Sequence, residues 1–261
     1  MSKAPFSIMR INNASILINI GEHTILTDPY FIDVPFIGVT EMAVIKPQDL
    51  PPLTAILGCH DVEDHWQMRG LSDYPHDKDD VQLFVAMESQ IESAREYGFN
   101  NVEVLEWGEK RVLGGNLSIE SVKAQNMLKW TVNNYVIRYE DTSILFGSEA
   151  RDLPPLAEYK AANGPVDMAI FPVNGVYLMS FYQLVMRGEE AVEGAKLLGA
   201  KQLFVIHDAH KNLPVFLPTK SSGDDATAAA LNDDSLEVIR MPTGELWSSN
   251  GQNSILSILA S

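Results

Sequence analysis

The chain has 261 residues, and its 35 acidic side chains outnumber its 19 basic ones, which gives a formal net charge of −16. This acidic excess argues against a protein that binds nucleic acid or an anionic membrane surface, because both partners require Lys and Arg. Hydrophobic residues make up 46% of the chain, too many for a disordered protein. The single cysteine, Cys59, excludes an internal disulfide. We see no signal peptide and no membrane span, so we expect a cytoplasmic protein with one domain over residues 1–261.

The first half of the chain predicts a meander of strands followed by strand–helix units. Strands are predicted where β-branched and apolar residues cluster. They fall at residues 6–11, 15–20, 24–27, 53–58, 81–85 and 101–105, with a helix at 88–97 and a long apolar loop at 30–52.

The second half repeats this order. Strands are predicted at 111–113, 117–124, 134–139, 143–146, 167–172, 202–206 and 237–241, and helices at 154–162, 189–198 and 226–231. Two similar halves, each a sheet with helices on its outer face, indicate an α/β (α+β) protein in four layers.

Chemically active side chains crowd the end of the predicted strand at 53–58. The ends of buried strands in α/β sheets are where ligand sites form, and imidazole and carboxylate groups suit zinc and similar metals. His207 likewise follows a buried strand. A solvated acidic turn with incidental histidines explains the spacing alone equally well. The crowded side chains are His60, Asp61, Glu63, Asp64 and His65.

The order of these segments resembles the metallo-β-lactamase fold superfamily, and within it the branch similar to the L-ascorbate-6-phosphate lactonase. Residues 8–18 resemble the first hairpin of that branch, and 25–29 resemble its ILTDP signature. Residues 60–65 fall where the family has the motif H-x-H-x-D-H. Residues 167–207 resemble the last strand–helix–strand unit with its terminal histidine ligand. The resemblance covers nearly the whole chain and implies a four-layer αββα sandwich.

The chain departs from the family's ligand pattern at three positions. The second histidine of the motif is replaced by Val62, the third histidine by Asn126, and the bridging aspartate by Ser148, with Glu149 one position later. Valine cannot coordinate a metal, and asparagine is a weak ligand. Of the first metal site only His60 survives, so we expect that site to be empty. Asn126 and Ser148 are then expected beside the metal rather than bound to it.

The second metal site of the resemblance is complete. Its ligands correspond to Asp64, His65 and His207, which with His60 form the expected metal-binding set. The expected cofactor is one Zn²⁺, or Fe²⁺ or Mn²⁺, per chain, although a protein without metal is also open. Asp28 corresponds to a carboxylate that orients a ligating imidazole.

Two functions follow from this set of residues. The first is a metal-dependent hydrolase-like enzyme that opens a small lactone, ester or amide at a mononuclear site, with Asp61, Glu63 or Glu149 as the general base. The alternative is a diverged protein of the same fold without metal, acting as a metal-free enzyme or as a non-catalytic binding protein. Both take a small molecule as partner, and self-association into a homo-oligomer is open.

Overall fold

The structure is a computed structural model that describes residues 3–34, 39–127, 130–251 and 254–255; the side chains of residues 126, 127, 254 and 255 lie outside this description. The chain divides into two compact units. The first, which we call the split unit, contains Met1–Glu106 and Met241–Ser261. The second, the continuous unit, contains Trp107–Arg240.

Each unit is built on one large β-sheet. In chain order the strands are β1 (Phe6–Arg10), β2 (Ile16–Ile20), β3 (His23–Thr27), β4 (Ala55–Gly58), β5 (Gln82–Val85), β6 (Val102–Val104), β7 (Lys110–Val112), β8 (Leu117–Met127), β9 (Trp130–Tyr139), β10 (Thr142–Phe146), β11 (Met168–Pro172), β12 (Tyr177–Leu178), β13 (Tyr182–Gln183), β14 (Gln202–Ile206), β15 (Glu237–Ile239), β16 (Glu245–Ser248) and β17 (Ser254–Ile255). The α-helices are α1 (Glu88–Glu96), α2 (Pro154–Asn163), α3 (Gly188–Leu198) and α4 (Gly223–Ala230).

The sheet of the split unit has the strand order β17-β16-β1-β2-β3-β4-β5-β6. Strands β1 to β3 are antiparallel neighbours, and β3 to β6 are parallel. Strands β1, β3, β4 and β5 therefore run in one direction, and their C-terminal ends share one edge. Asp28 directly follows β3 at this edge, and Cys59 and His60 follow β4.

The sheet of the continuous unit has the strand order β15-β14-β11-β10-β9-β8-β7. Strands β10, β11, β14 and β15 are parallel, so their C-terminal ends also share an edge. Gly147 follows β10, Val173 and Asn174 follow β11, and His207 follows β14. Strands β12 and β13 form a separate two-stranded hairpin in the same unit.

Several parallel strands of both sheets are buried along their whole length. All residues of β4, β10 and β11 are buried, which is typical of parallel strands covered on both faces. In the split unit α1 contributes Ile91 and Ala94 to the core. In the continuous unit α3 buries Ala191, Ala195 and Leu198.

The predicted mixed α/β class is confirmed, with two large sheets and several helices consistent with the metallo-β-lactamase sandwich. Most predicted elements recur within a few residues, and the strand at 202–206 has the predicted bounds. The sequence did not predict the short strands β12, β13, β16 and β17. Among the described residues, no helix combines the length and the apolar character that a membrane crossing requires.

Candidate metal centre

Asp28 connects the ends of two neighbouring strands in the split unit. Its backbone has φ 40°, a left-handed conformation that Asp tolerates better than most residues. The buried carboxylate accepts the Cys59 N–H at Oδ1 over 2.8 Å. Its Oδ2 lies 2.8 Å from Nδ1 of His65. One carboxylate thus joins β3 to the loop after β4 and fixes the orientation of an imidazole.

The partner of Nδ1 determines which nitrogen of His65 can ligate a metal. A carboxylate accepts a hydrogen bond from Nδ1–H, which keeps the ring proton on Nδ1 and leaves Nε2 as the coordinating nitrogen. Oδ2 of Asp64 lies 3.7 Å from this Nε2. Two ligands at about 2.1 Å from a tetrahedral ion lie about 3.4 Å apart. Asp64 and His65 are therefore spaced as two ligands of one ion would be.

His60 lies beside this pair on the same loop. Its ring centroid is 4.5 Å from that of His65, and ligand atoms of the two side chains lie within 4.8 Å. Its carbonyl accepts a hydrogen bond of 3.1 Å from Nε2 of Gln90, which is buried on α1. Helix α1 thereby holds the backbone at His60 in place.

The turn between His60 and Trp66 is fixed by the Trp66 ring. Its indole N–H donates to the Ser93 hydroxyl over 2.7 Å. The ring covers Gly58, where an added Cβ would lie 2.5 Å from the indole carbons. A glycine at the end of β4 is therefore required for Trp66 to pack here.

Tyr30 is a buried phenol close to this loop. Its hydroxyl accepts the Val34 N–H over 2.8 Å and donates to Oδ1 of Asp33 over 3.3 Å. Burial raises the pKa of Tyr30 to about 12, and the charges of Asp33 and Asp64 add to the rise. Tyr30 is therefore neutral at physiological pH and does not act as a base.

The continuous unit places a second imidazole beside a second carboxylate. His207 directly follows β14 with φ 62° and is buried. Its Nδ1 lies 3.2 Å from Oδ1 of Asn174. Its Nε2 lies 3.5 Å from Oε1 of Glu149, which is also buried. This unit thus repeats the pattern of an imidazole held at Nδ1 by an oxygen, with Nε2 directed at a carboxylate.

The other predicted site residues have less specific surroundings. Ser148 is fully buried between Gly147 and Glu149. Glu63 is half-buried, with 41% of its side chain exposed, and pairs with Arg69 over 2.7 Å. Asp61 is half-buried on the loop after His60. Asn126 lies in β8, and its side chain is outside the described residues.

Sequence reasoning missed Asn174 and Gln90. Gln90 is an ordinary helix residue by sequence, and its contact with the His60 carbonyl joins residues 30 positions apart. Asn174 carried a usable signal, since it lies two residues past the buried strand β11, just as His207 lies one residue past β14. A polar residue directly beyond any buried parallel strand is a candidate for the site.

Comparison with known families gives one match. A family model described as “Beta-lactamase superfamily domain” matches residues 23–207. This span includes every predicted ligand, together with Asp28, Glu149 and Asn174. No curated protein matches the chain.

Several solved structures share this fold. An isothiocyanate hydrolase from Delia radicum gut bacteria is 16% identical with a TM-score of 0.73, covering 92% of this chain and 98% of its own. A possible metal-dependent hydrolase from Veillonella parvula is 14% identical with a TM-score of 0.75, covering 92% and 98%. A metallo hydrolase from the archaeon Ignicoccus hospitalis is 14% identical with a TM-score of 0.71, covering 94% and 98%. At these identities the similarity concerns the fold.

Proposed function

Because the chain belongs to the beta-lactamase superfamily, we propose that it is a metal-dependent hydrolase-like enzyme that opens a small lactone, ester or amide. One observation carries the proposal. His65 and His207 are each held at Nδ1 by an oxygen acceptor, and Nε2 of each faces a buried carboxylate, of Asp64 and of Glu149 respectively. Buried imidazoles with a fixed Nε2 are the form in which histidine ligates metals.

The proposed ligands are His60, Asp64, His65 and His207, with Asp28 fixing His65. The donor set of imidazole nitrogen and carboxylate oxygen suits Zn²⁺, and also Fe²⁺ or Mn²⁺. Val62 stands where the resemblance has another histidine, so we propose one ion per chain rather than two. When bound, such an ion supplies a Lewis acid that activates water and polarises a carbonyl group.

We favour Glu149 as the general base among the three candidates. Its carboxylate is buried beside His207, whereas the Glu63 side chain is 41% exposed and paired with Arg69. Asp61 is half-buried. Glu149 would take a proton from the attacking water as oxygen adds to the carbonyl carbon, and return it to the leaving oxygen or nitrogen.

The structural neighbours supply one further substrate class. One of them is an isothiocyanate hydrolase, and an isothiocyanate carries an electrophilic carbon that water attacks as it does a carbonyl. We propose to screen lactones, esters, amides and isothiocyanates together. We also propose that the protein works in the cytoplasm as one domain. We propose a small molecule as its partner, because the acidic charge of the chain disfavours nucleic acid and anionic membranes.

The deciding experiment is metal content by mass spectrometry on protein purified without chelator or affinity metal. We expect about one metal ion per chain in the wild type. His65→Ala and His207→Ala should each lose it, while the exposed His76→Ala serves as the matched control and should keep it. If wild-type protein carries no metal and takes up none of Zn²⁺, Fe²⁺ and Mn²⁺ on titration, the metal-free alternative replaces this proposal.

A further inference from the structure

Asn174 has a rigid backbone and a buried side chain at the end of β11. Its carbonyl accepts the Lys220 and Ser221 N–H groups over 3.1 and 3.0 Å, and its backbone pairs with that of Arg187. The residue is 3% exposed. The amide therefore points in a direction that the surrounding backbone determines.

The two ends of this amide have different environments. Oδ1 lies 3.2 Å from Nδ1 of His207, whereas Nδ2 has no hydrogen-bond partner among the described residues. A buried N–H₂ group without an acceptor is unfavourable, and such groups in native proteins need an explanation. The opposite amide orientation would make Nδ2 donate to Nδ1 of His207, which would place the ring proton on Nε2. A metal-ligating His207 thus requires the orientation described.

We propose that Asn174 has two functions, and this rests on the proposed function above. Its Oδ1 fixes the tautomer of His207, and its Nδ2 donates a hydrogen bond to an oxygen atom of the substrate, either a carbonyl or a carboxylate oxygen. The group is a donor only, so its partner must be an acceptor. Its position one hydrogen bond away from His207 puts it beside the reacting group.

A donor at this position contributes to the reaction itself. When water adds to a carbonyl carbon, the C=O π pair moves to the carbonyl oxygen, which becomes negative, and the proton of the water passes to Glu149. A buried donor whose orientation is already set stabilises that developing charge without reorganisation. Asn174 is then a catalytic residue through Nδ2 and a positioning residue through Oδ1.

The test separates the two functions with two variants. Asn174→Leu keeps the branching at Cγ and has no polar side-chain atoms, and Asn174→Asp keeps an acceptor for His207 without a donor. Asn163→Leu, at the exposed end of α2, is the matched control. Co²⁺ affinity is measured by visible absorption. The affinity of acetate, a carboxylate probe, is then measured at saturating Co²⁺, so that weaker metal binding does not enter the result.

We expect Asn174→Leu to weaken both Co²⁺ and acetate binding, each by about 10-fold or more. Asn174→Asp should restore Co²⁺ affinity but not acetate affinity, and near-UV circular dichroism should show both variants folded. If Asn174→Leu binds acetate as well as wild type at saturating Co²⁺, Nδ2 is not a ligand donor and the inference is wrong. If wild type and Asn163→Leu bind no Co²⁺, the proposed function itself fails and this inference fails with it.

Discussion

Each of the two units holds a candidate metal-binding imidazole at Nδ1, but the group that holds it differs between them. In the split unit a carboxylate, Asp28, holds His65 at 2.8 Å. In the continuous unit a neutral amide, Asn174, holds His207 at 3.2 Å. A carboxylate fixes the tautomer and also makes the imidazole a stronger base, whereas an amide only fixes the tautomer. Asp28 thus makes His65 the stronger proposed metal ligand, whereas Asn174 leaves its N–H₂ group available to another partner.

A carboxylate is less favourable to bury than a neutral amide. Asp28 is completely buried, and an ionised carboxylate without partners is very unfavourable inside a protein. The Cys59 N–H and His65 satisfy one oxygen each. Asn174 has no charge to bury, so it can be left with an unpaired donor at smaller cost. The four predictions that follow compare the two units, and the first tests this contrast directly.

The largest effect is expected from Asp28→Asn, which gives the split unit the amide of the continuous one. If the new Oδ1 keeps the Cys59 N–H, Nδ2 faces Nδ1 of His65 and places the ring proton on Nε2. Zn²⁺ affinity, measured by competition with a chelator, should fall by about 100-fold. The exposed Asp49→Asn should leave it unchanged. Equal affinities in the two variants would show that Asp28 does not orient a ligand.

The next effect concerns two glycines, Gly58 before the ligand His60 and Gly147 before the proposed base Glu149. In Gly58→Ala the new Cβ would lie 2.5 Å from the Trp66 ring, and in Gly147→Ala 2.8 Å from the Phe171 ring. Both should lower the free energy of unfolding by about 1–3 kcal/mol, with the larger loss at Gly58. Urea denaturation measures both. A larger loss at Gly147 would reverse the ranking and show that Trp66 moves more easily than Phe171.

A third effect distinguishes the two units at alkaline pH. Burial raises the pKa of Tyr30 to about 12, and burial also raises that of Tyr159, where the Arg138 guanidinium opposes the rise. The unfolded chain releases the Tyr30 proton near the ordinary value of 10.0. The stability this group contributes is therefore complete below pH 10 and is lost as the pH rises toward 12.

Thermal unfolding between pH 9 and 12 tests this expectation. Tyr30→Phe, which has no phenol to ionise, should lose stability less steeply than wild type over this range. Tyr159→Phe should change the slope less. Identical slopes for wild type and Tyr30→Phe would contradict the assignment.

The smallest effect is expected at Glu63. Glu63→Gln breaks the pair with Arg69, and exposed pairs contribute about 0–1 kcal/mol. It should leave metal content unchanged and turnover of a screened substrate within about 2-fold, because Glu63 is neither a proposed metal ligand nor the favoured general base. Glu149→Gln should lower turnover by about 100-fold. If turnover falls strongly in Glu63→Gln and not in Glu149→Gln, the general base is Glu63 and not Glu149.

The sequence predicted the elements whose apolar pattern is local. The buried runs around Ala55–Gly58 and Gln202–Ile206 are short, continuous and bounded by polar residues, so their strands were predictable. Strand β16 was not, because Glu245–Ser248 is short and mixed in polarity, and it is a strand only through pairing with β1 more than 230 residues earlier.

For the candidate site, the sequence supplied only candidate ligands, and their role as ligands stays a prediction. His60, Asp64, His65 and His207 each lie beyond a buried strand, and Asp28 matches a family signature. The partners that fix them, Gln90 and Asn174, depend on tertiary contacts that have no sequence spacing of their own. The pairing of Glu63 with Arg69 also required the structure, since both lie on a surface turn.

The pairing of β1 with β16 has a consequence for the order of synthesis. In the split unit the outer edge of β1 is paired only when Glu245–Ser248 has left the ribosome, whereas the continuous unit, Trp107–Arg240, is available in one stretch before that. During translation β1 keeps an unpaired edge, and unpaired strand edges are where nascent chains associate. Strand β16 thus covers the edge of a strand that emerged more than 230 residues earlier.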